Sequence, residues 1–412
     1  MRMILTTKKT AALLALSVVA LTGCADDTTG VAASSDPTTA ATESDEPQAR
    51  LVVAHDGGVV VLDPADELAE IARFDTTERP RLAVASDDRH VYLTQAEEGT
   101  ITALDTGTYG QSHGDHDHFY VQEPALRELQ LSGDRPVHVV SHDGRTAVYF
   151  DGTGTAEVFD DAGLVDDLLD TTTVDSGTVH HGVVVPFGDG TLVSEVTGDS
   201  PLADTVAVRD ADGEEVARHE NCPMLHGEAT HDDTVAFGCA DGVLLVTTEG
   251  ASLVPNPEGS GDDRVGSLYA SQASDVIVGN FGETTLSLLN LANATLTTAD
   301  VGGAYRPIAR GEDGSALTLR LDGVLVGIDP ETGETLGTVE AIDAYTIPEG
   351  HGQVAPTLAV VGHTAYVTDP AGQRIVAVDT ETWTVSGEFA PGVAPAQAVA
   401  VNAPAGGAGH DH

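Results

Sequence analysis

A short apolar segment recurs along most of the chain, and this repeat restricts the fold more than any other feature. Eight such segments show period-two alternation and begin about 45 residues apart, the length expected of a four-stranded propeller blade. Asp-Gly and Gly-Asp turns bound many of them, as in β-hairpins. The segments open near Leu82, His138, Gly182, Gly227, Leu268, Pro307, Thr357 and Ala396. The sequence therefore predicts an all-β chain that forms a single β-propeller.

Both ends of the repeat region are incomplete. The segment from Ala396 to Asn402 supplies one strand, whereas residues 51–74 supply strands without an inner partner. Together they complete one blade, so strands from both termini are predicted to close the ring and remove its open edge. This gives eight blades. Seven is the alternative, because an irregular insertion at 106–131 blurs one boundary, and a pair of β-sandwiches is the competing architecture.

The N-terminal residues resemble an export signal. Basic residues precede an apolar run from Ala11 to Leu21, which is too short to span a membrane and ends in Leu21-Thr22-Gly23-Cys24, similar to a bacterial lipobox. Residues 1–23 are predicted as a lipoprotein signal peptide, 24–50 as the lipidated Cys24 and a flexible linker, 51–402 as the propeller, and 403–412 as a disordered tail. We therefore expect an exported lipoprotein on the outer face of the cell membrane.

The charge of the chain excludes one class of partner. Lys and Arg number 18 against 66 Asp and Glu, a net charge of −48. With no basic stretch beyond the N-terminus to neutralise phosphates, nucleic-acid binding is excluded, and membrane contact is expected only through the lipid. A strongly negative field attracts cations, but it also simply keeps an exported protein soluble.

Cys222 and Cys239 are the two thiols left after Cys24. In an oxidising compartment, two cysteines about seventeen residues apart most simply form one disulfide, worth about 3 kcal/mol by the loop-closure estimate. A metal-thiolate pair is the alternative.

One segment of the insertion is dense in metal-binding side chains. His113, Asp115, His116 and His118 lie within six residues. Imidazole and carboxylate suit Zn²⁺, and a flexible loop can wrap three imidazoles around one ion. The composition favours a zinc site here, and a merely polar loop is the alternative.

Three His-Gly pairs lie at or just before predicted inner strands, at His181, His226 and His351. The starts of inner strands converge on one mouth of a propeller channel, so these side chains are predicted to meet there. His138 and His180 are predicted nearby as extra ligands, and Glu228 or Asp175 as a carboxylate ligand or orienting acceptor. The alternative is that each is an ordinary structural histidine.

The remaining histidines are interpreted as surface residues of hairpin turns: His55, His90, His142, His231 and His363. The tail histidines, His410 and His412, are expected to bind a metal only weakly. Three Met and no expected free thiol argue against Cu(I), and no Asp-rich loop has the full calcium spacing, so zinc is the predicted ion. No nucleophile elbow or Walker loop appears, so no enzymatic activity is predicted.

These motifs together resemble the AztD family of zinc metallochaperones: the signal, the propeller pattern, the His-Gly-Asp-His-x-His segment, the Cys pair around Met224-Leu225-His226-Gly227-Glu228, and the late Gly-His-Gly. The resemblance implies a propeller that binds zinc outside the cytoplasmic membrane and hands it to the solute-binding protein of a zinc ABC importer. It matches His113, His116 and His118 to a mobile segment, and His181, His226 and His351 to folded sites. The lipid anchor departs from a freely diffusing chaperone.

Two other functions compete with this expectation. One is a cell-surface binding or scaffold propeller that recognises a protein or glycan. The other is a metal-dependent propeller hydrolase, in which histidine ligands and an open position would activate water.

Overall fold

The computed structural model describes residues 41–112, 117–198, 200, 202–348 and 353–401. Within them, strands form eight four-stranded sheets and one three-stranded sheet. The first four blades comprise β2 Arg50–His55, β3 Gly58–Asp63, β4 Ala69–Asp75 and β35 Gln397–Val401; β5 Arg81–Val84, β6 His90–Gln95, β7 Thr100–Asp105 and β10 Ala125–Ser132; β11 Pro136–His142, β12 Arg145–Phe150, β13 Thr155–Asp160 and β14 Thr172–Asp175; and β15 Val184–Phe187, β16 Gly190–Glu195, β17 Thr205–Arg209 and β18 Glu215–His219.

The other four blades comprise β19 Glu228–His231, β20 Thr234–Gly238, β21 Gly242–Thr247 and β22 Gly250–Pro255; β23 Leu268–Ser271, β24 Ser274–Phe281, β25 Thr285–Asn290 and β26 Thr295–Asp300; β27 Tyr305–Arg310, β28 Ala316–Arg320, β29 Val324–Ile328 and β30 Thr335–Glu340; and β31 Leu358–Val361, β32 Thr364–Asp369, β33 Arg374–Asp379 and β34 Thr384–Phe389. The small sheet comprises β1 Thr42–Ser44, β8 Thr108–Ser112 and β9 Asp117–Val121, and a short 3₁₀ helix covers Asp161–Asp166.

The ring is closed by strands from both ends of the chain. β35 pairs antiparallel with β2, from Arg50 opposite Val401 to Ala54 opposite Gln397. The eight-bladed prediction and its mode of closure are confirmed. The eight apolar segments of the repeat supply the inner strands, and most neighbouring inner strands contact one another around the ring.

Burial decreases from the middle of each blade to its outer strand. Every residue of β2 is buried, and β3 is buried up to its last residue, whereas β4 is mostly exposed. A strand covered on both faces reads as a continuous apolar run, while an outer strand alternates. Apolar clusters fill the space between neighbouring sheets; one joins Val185 of β15 to Phe237 of β20 and contains both cysteines.

The small sheet lies in the predicted insertion, between β7 and β10. β8 and β9 form a hairpin, and β1 adds to the free edge of β9. β1 lies inside the range 24–50 that the sequence analysis assigned to a flexible linker. Its three residues form a strand there because they pair with the backbone of β9. No helix among the described residues is long and apolar enough to cross a membrane.

Candidate metal site at the mouth of the ring

Two histidines face each other at the end of the ring where the inner strands begin. His138 lies in β11 and His181 three residues before β15, and their Nε2 atoms are 3.2 Å apart. A tetrahedral zinc ion with Zn–N bonds of about 2.0–2.1 Å places two nitrogen ligands about 3.3 Å apart. The observed separation fits two ligands of one ion as well as it fits one N–H···N hydrogen bond.

Asp151 fixes the tautomer of His181. Its Oδ2 lies 2.8 Å from His181 Nδ1, and its side chain is only 12% exposed. Because a carboxylate only accepts, His181 donates from Nδ1 and carries its lone pair on Nε2, the atom that faces His138. Metal-binding histidines are commonly oriented by such a carboxylate. The sequence analysis missed Asp151, whose only signal is an acidic residue directly after β12.

A third histidine lies beside this pair, and like His181 it carries its proton on Nδ1. His226 donates from Nδ1 to the carbonyl oxygen of Gly266 at 2.8 Å, which leaves the lone pair on Nε2. Its ring centroid lies 5.7 Å from that of His181. Two of the three predicted folded-site histidines thus come together, and the third, His351, lies outside the described residues.

A buried acidic residue lies beside His138. Glu228, the first residue of β19, is 1% exposed, and its Oε1 lies 4.0 Å from His138 Nδ1. The structure therefore brings two of the predicted extra ligands, His138 and Glu228, to the same place. A carboxylate at this position would favour a bound cation.

The structure explains why a glycine follows the histidine in these two His-Gly pairs. Gly227 has a φ of 79°, and a Cβ on it would lie 2.5 Å from Gly266 O, the acceptor that orients His226. A Cβ on Gly182 would lie 2.8 Å from the Tyr149 hydroxyl and 2.9 Å from Ser194 Oγ. A side chain at either position would displace the groups around the site.

His180 and Asp175 do not join the pair. His180 Nδ1 lies 2.9 Å from Thr178 O and 3.3 Å from the Tyr149 hydroxyl. Burial, reinforced by the charges of Asp151 and Asp175, raises the pKa of Tyr149 to about 12, so this hydroxyl keeps its proton. Asp175 is exposed and accepts a hydrogen bond from its own turn, at Gly177 N.

The arrangement in the described residues is not a complete metal cage. No three His, Cys, Asp or Glu side chains there are grouped so that they could hold one ion. His113, Asp115 and His116, together with Cys24 and the tail histidines, lie outside the described residues, whereas His118 lies in β9. The mouth therefore offers one close nitrogen pair, with His226 and Glu228 beside it.

A disulfide holds the segment that carries His226. Cys222 and Cys239 are bonded across 17 residues, so the disulfide prediction is confirmed and the metal-thiolate alternative is wrong. Between them, His226 N donates to Gly238 O and Gly238 N donates to Gly227 O, both at 3.0 Å. The disulfide and these bonds fix the position of the His226 backbone.

The prediction of five surface turn histidines is wrong for four of them. His55, His90, His142 and His231 are 8%, 0%, 8% and 6% exposed, and only His363 is exposed. The turns themselves lie at the surface, but these imidazoles point inward to bond backbone carbonyls or carboxylates. His142, for example, contacts the carbonyl oxygens of Pro186 and Asp232, which belong to two other blades.

The fold and these side chains define the chain as an eight-bladed propeller with a histidine pair at one mouth of its ring. It is 28% identical over 386 residues to the zinc chaperone AztD of Citrobacter koseri, covering 88% of this chain and 89% of that protein. The crystal structure of C. koseri AztD superposes with a TM-score of 0.82 at 25% identity, and its apo structure with 0.80; each covers 89% of this chain and 100% of that one. The chain is homologous to this zinc chaperone.

Other comparisons are less specific. Dihydro-heme d1 dehydrogenase NirN in complex with DHE superposes with a TM-score of 0.58 at 17% identity over 86% of this chain and 75% of that one, which shows a shared fold alone. No family model matches the chain.

Proposed function

We propose that this chain is an extracytoplasmic zinc metallochaperone that delivers Zn²⁺ to the solute-binding protein of a zinc ABC importer. Binding and transfer, rather than catalysis, is the proposed activity. The observation that carries the proposal is the homology to a zinc chaperone along 88% of the chain. The nitrogen pair at the mouth of the ring supports it independently, because its spacing suits zinc.

Zinc, as cargo, would be held at the mouth by Nε2 of His138 and His181. Asp151 keeps the lone pair of His181 on the correct nitrogen, and the disulfide segment brings His226 to the edge of the pair. His226, Glu228 and His351 are the proposed sources of the remaining ligands. An incomplete cage suits a carrier, since the partner's ligands can enter before those of the chaperone leave.

The histidine-rich segment is proposed as a second zinc ligand set, made of His113, His116 and His118. Of these, the structure describes His118, at the start of β9 and so at the tip of a hairpin that extends from the second blade. Several imidazoles on one segment can exchange ligands one at a time and keep the ion coordinated during transfer.

The cellular location is also a proposal. The lipobox-like Leu21-Thr22-Gly23-Cys24 supports an exported lipoprotein anchored through Cys24 at the outer face of the cell membrane. Labelling cells with a fatty-acid analogue should mark the unaltered chain and not a Cys24→Ser variant. Equal labelling of both would contradict the anchor.

Zinc titration of the full chain tests the proposed function. Metal-free protein competes with a high-affinity chromophoric chelator for Zn²⁺, and the loaded protein is then mixed with a metal-free zinc solute-binding protein. We expect tight binding that is weakened at least 100-fold by His138→Ala with His181→Ala, and zinc that moves to the partner faster than it dissociates into free chelator. Binding unchanged in the double variant would exclude the mouth as the site, and transfer no faster than dissociation would exclude the chaperone role.

A further inference from the structure

Three arginines of this acidic chain have no carboxylate partner. Asp and Glu number 66 against 18 Lys and Arg, so most arginines of the described residues form an ion pair, as Arg218 does with Glu195. The exceptions at one end of the ring form no ion pair with any residue that the structure describes: Arg135, Arg264 and Arg306. A cation left unpaired among so many carboxylates is available to a group from another molecule.

All three arginines lie at the end of the ring that holds the histidine pair. Arg135 directly precedes β11, Arg264 lies four residues before β23, and Arg306 is the second residue of β27. These are the inner strands of the third, sixth and seventh blades, and the inner strands begin at this mouth. Arg135 and Arg306 are exposed, and Arg264 is partly exposed. The rim of the mouth therefore presents guanidinium groups on more than one side.

Two of these arginines are bonded to the groups that orient the candidate ligands. Arg135 O accepts a hydrogen bond at 2.9 Å from the backbone N–H of Asp151, the residue that orients the histidine pair. The Arg264 guanidinium donates from Nη1 to Met224 O at 2.8 Å, within the segment that the disulfide holds. A molecule bound by these arginines would therefore lie beside the proposed zinc ligands.

The Arg264 guanidinium is partly buried without a counter-ion among the described residues. Asp263 precedes it in the sequence, but the Asp263 carboxylate lies beside Gly282. Burial lowers the pKa of Arg264, because a charged group loses hydration when it is buried. A carboxylate bound there would offset this cost, and a guanidinium can bind one through two parallel hydrogen bonds.

The arginines at the other end of the inner strands bond within the fold instead. Arg145 donates to Gly190 O at 2.8 Å, in the neighbouring blade. Arg310 is 1% exposed and donates to Val276 O, also at 2.8 Å. Arginines that serve only the fold are thus satisfied by backbone carbonyls, which the three at the mouth are not.

We propose that Arg135, Arg264 and Arg306 form a docking rim for an acidic surface segment of the protein that receives zinc. The inference rests on the proposed function, in which zinc passes from this mouth to a solute-binding protein. Complementary charges speed the encounter and set its orientation more than they add affinity, so the rim should act mainly on the rate of transfer. Because like charges repel, the rim does not help to hold zinc.

The test uses the full chain, loaded with Zn²⁺ and mixed with a metal-free zinc solute-binding protein. The rim variant carries Arg135→Gln, Arg264→Gln and Arg306→Gln, and glutamine keeps an N–H donor for Met224 O. The control variant has the same change in net charge at three partly exposed arginines that pair with carboxylates: Arg73→Gln, Arg218→Gln and Arg374→Gln. The transfer rate, the association rate of the two metal-free proteins and zinc affinity by chelator competition are measured in low and in high salt.

We expect the rim variant to transfer zinc at least tenfold more slowly than the control variant in low salt, and the difference to narrow as salt screens the charges. Its zinc affinity should be equal or higher. Equal transfer rates in low salt, or a difference that salt does not change, would overturn the inference. If the unaltered chain transfers zinc no faster than it releases it, the proposed function fails instead. The association rates then decide: slower association of the rim variant supports the docking rim, and equal association overturns it.

Discussion

The two ends of the inner strands use histidine in opposite ways. Where the strands begin, His181 and His226 each bind one acceptor through Nδ1 and leave the lone pair on Nε2. Where they end, His142 has a backbone carbonyl oxygen at each nitrogen, and the buried His231 lies 3.6 Å from Asp275. An imidazole binds a metal through a nitrogen lone pair, and an acceptor at the other nitrogen helps to orient it. His181 is therefore suited to ligand binding, whereas His142, with an acceptor from another blade at each nitrogen, is suited to holding blades together.

The largest expected effect concerns the second end, where Asp105 is buried and binds Arg89. Burial raises the pKa of this carboxyl, but the hydrogen bonds and charge of Arg89 outweigh it, so the pKa is lowered from its ordinary value of 3.8. We expect Asp105→Asn to cost about 3–5 kcal/mol at pH 7, because Arg89 loses its buried partner, with unchanged zinc affinity at the mouth. Urea unfolding measures the first and chelator competition the second.

The pH dependence of that effect has a definite sign. A carboxyl with a lowered folded pKa stabilises the protein above its unfolded value of 3.8, and this contribution is lost as pH falls through the lower folded value. The gap in stability between the unaltered chain and Asp105→Asn should therefore be constant above about pH 5 and should narrow in stronger acid. A gap that widens in acid would contradict this assignment.

Removal of the disulfide should lower both the stability of the fold and the zinc affinity of the mouth. Cys222→Ser with Cys239→Ser should cost about 3 kcal/mol by the loop-closure estimate. Zinc affinity should also fall, since the His226 segment lies between the two cysteines. Calorimetry and chelator competition measure the two effects, and unchanged zinc affinity would mean that His226 does not contribute to binding.

A pair of histidine substitutions compares the two ends directly. His142→Ala removes an imidazole that contacts the carbonyl oxygens of Pro186 and Asp232 and donates to one of them, and it should cost about 2–3 kcal/mol of stability, with zinc affinity retained. His181→Ala, at a partly exposed site, should cost less than 1 kcal/mol and remove most zinc affinity. The same result for both variants would remove the distinction between the ends.

The smallest expected effect on zinc affinity comes from a substitution that changes only how His181 is oriented. Asp151→Asn keeps the size of the side chain but replaces the charged acceptor of His181, and zinc affinity should fall about 10-fold to 100-fold. Asp175→Asn is the control, because Asp175 is a nearby acidic residue that bonds only within its own turn. Equal affinity for the two variants would show that Asp151 does not orient a ligand.

Repetition made the fold predictable from the sequence. The eight inner strands lie where the apolar segments recur, and the unpaired segments at the two ends pair as β2 and β35. The site was predictable only in part. His181 and His226 were visible because each precedes a glycine at the start of an inner strand, and the geometry of those glycines is now clear.

Contacts between distant residues were not visible in the sequence. Asp151 contacts His181 from the preceding blade, 30 residues earlier in the chain. Glu43 contacts His118 from 75 residues earlier. The surface exposure of the buried histidines was predicted wrongly for a related reason. A turn with Asp or Gly signals a surface position for the backbone but does not show which way the imidazole points, and His142 finds its acceptors in other blades.

Anomalous diffraction at the zinc edge from zinc-loaded crystals is the most direct test of zinc binding at the mouth of the ring. We predict a peak about 2.0–2.1 Å from Nε2 of both His138 and His181, with no peak beside His142 or His231. Zinc found only among the turn-end histidines, or only on the hairpin while the His138–His181 pair keeps its hydrogen bond, would contradict it.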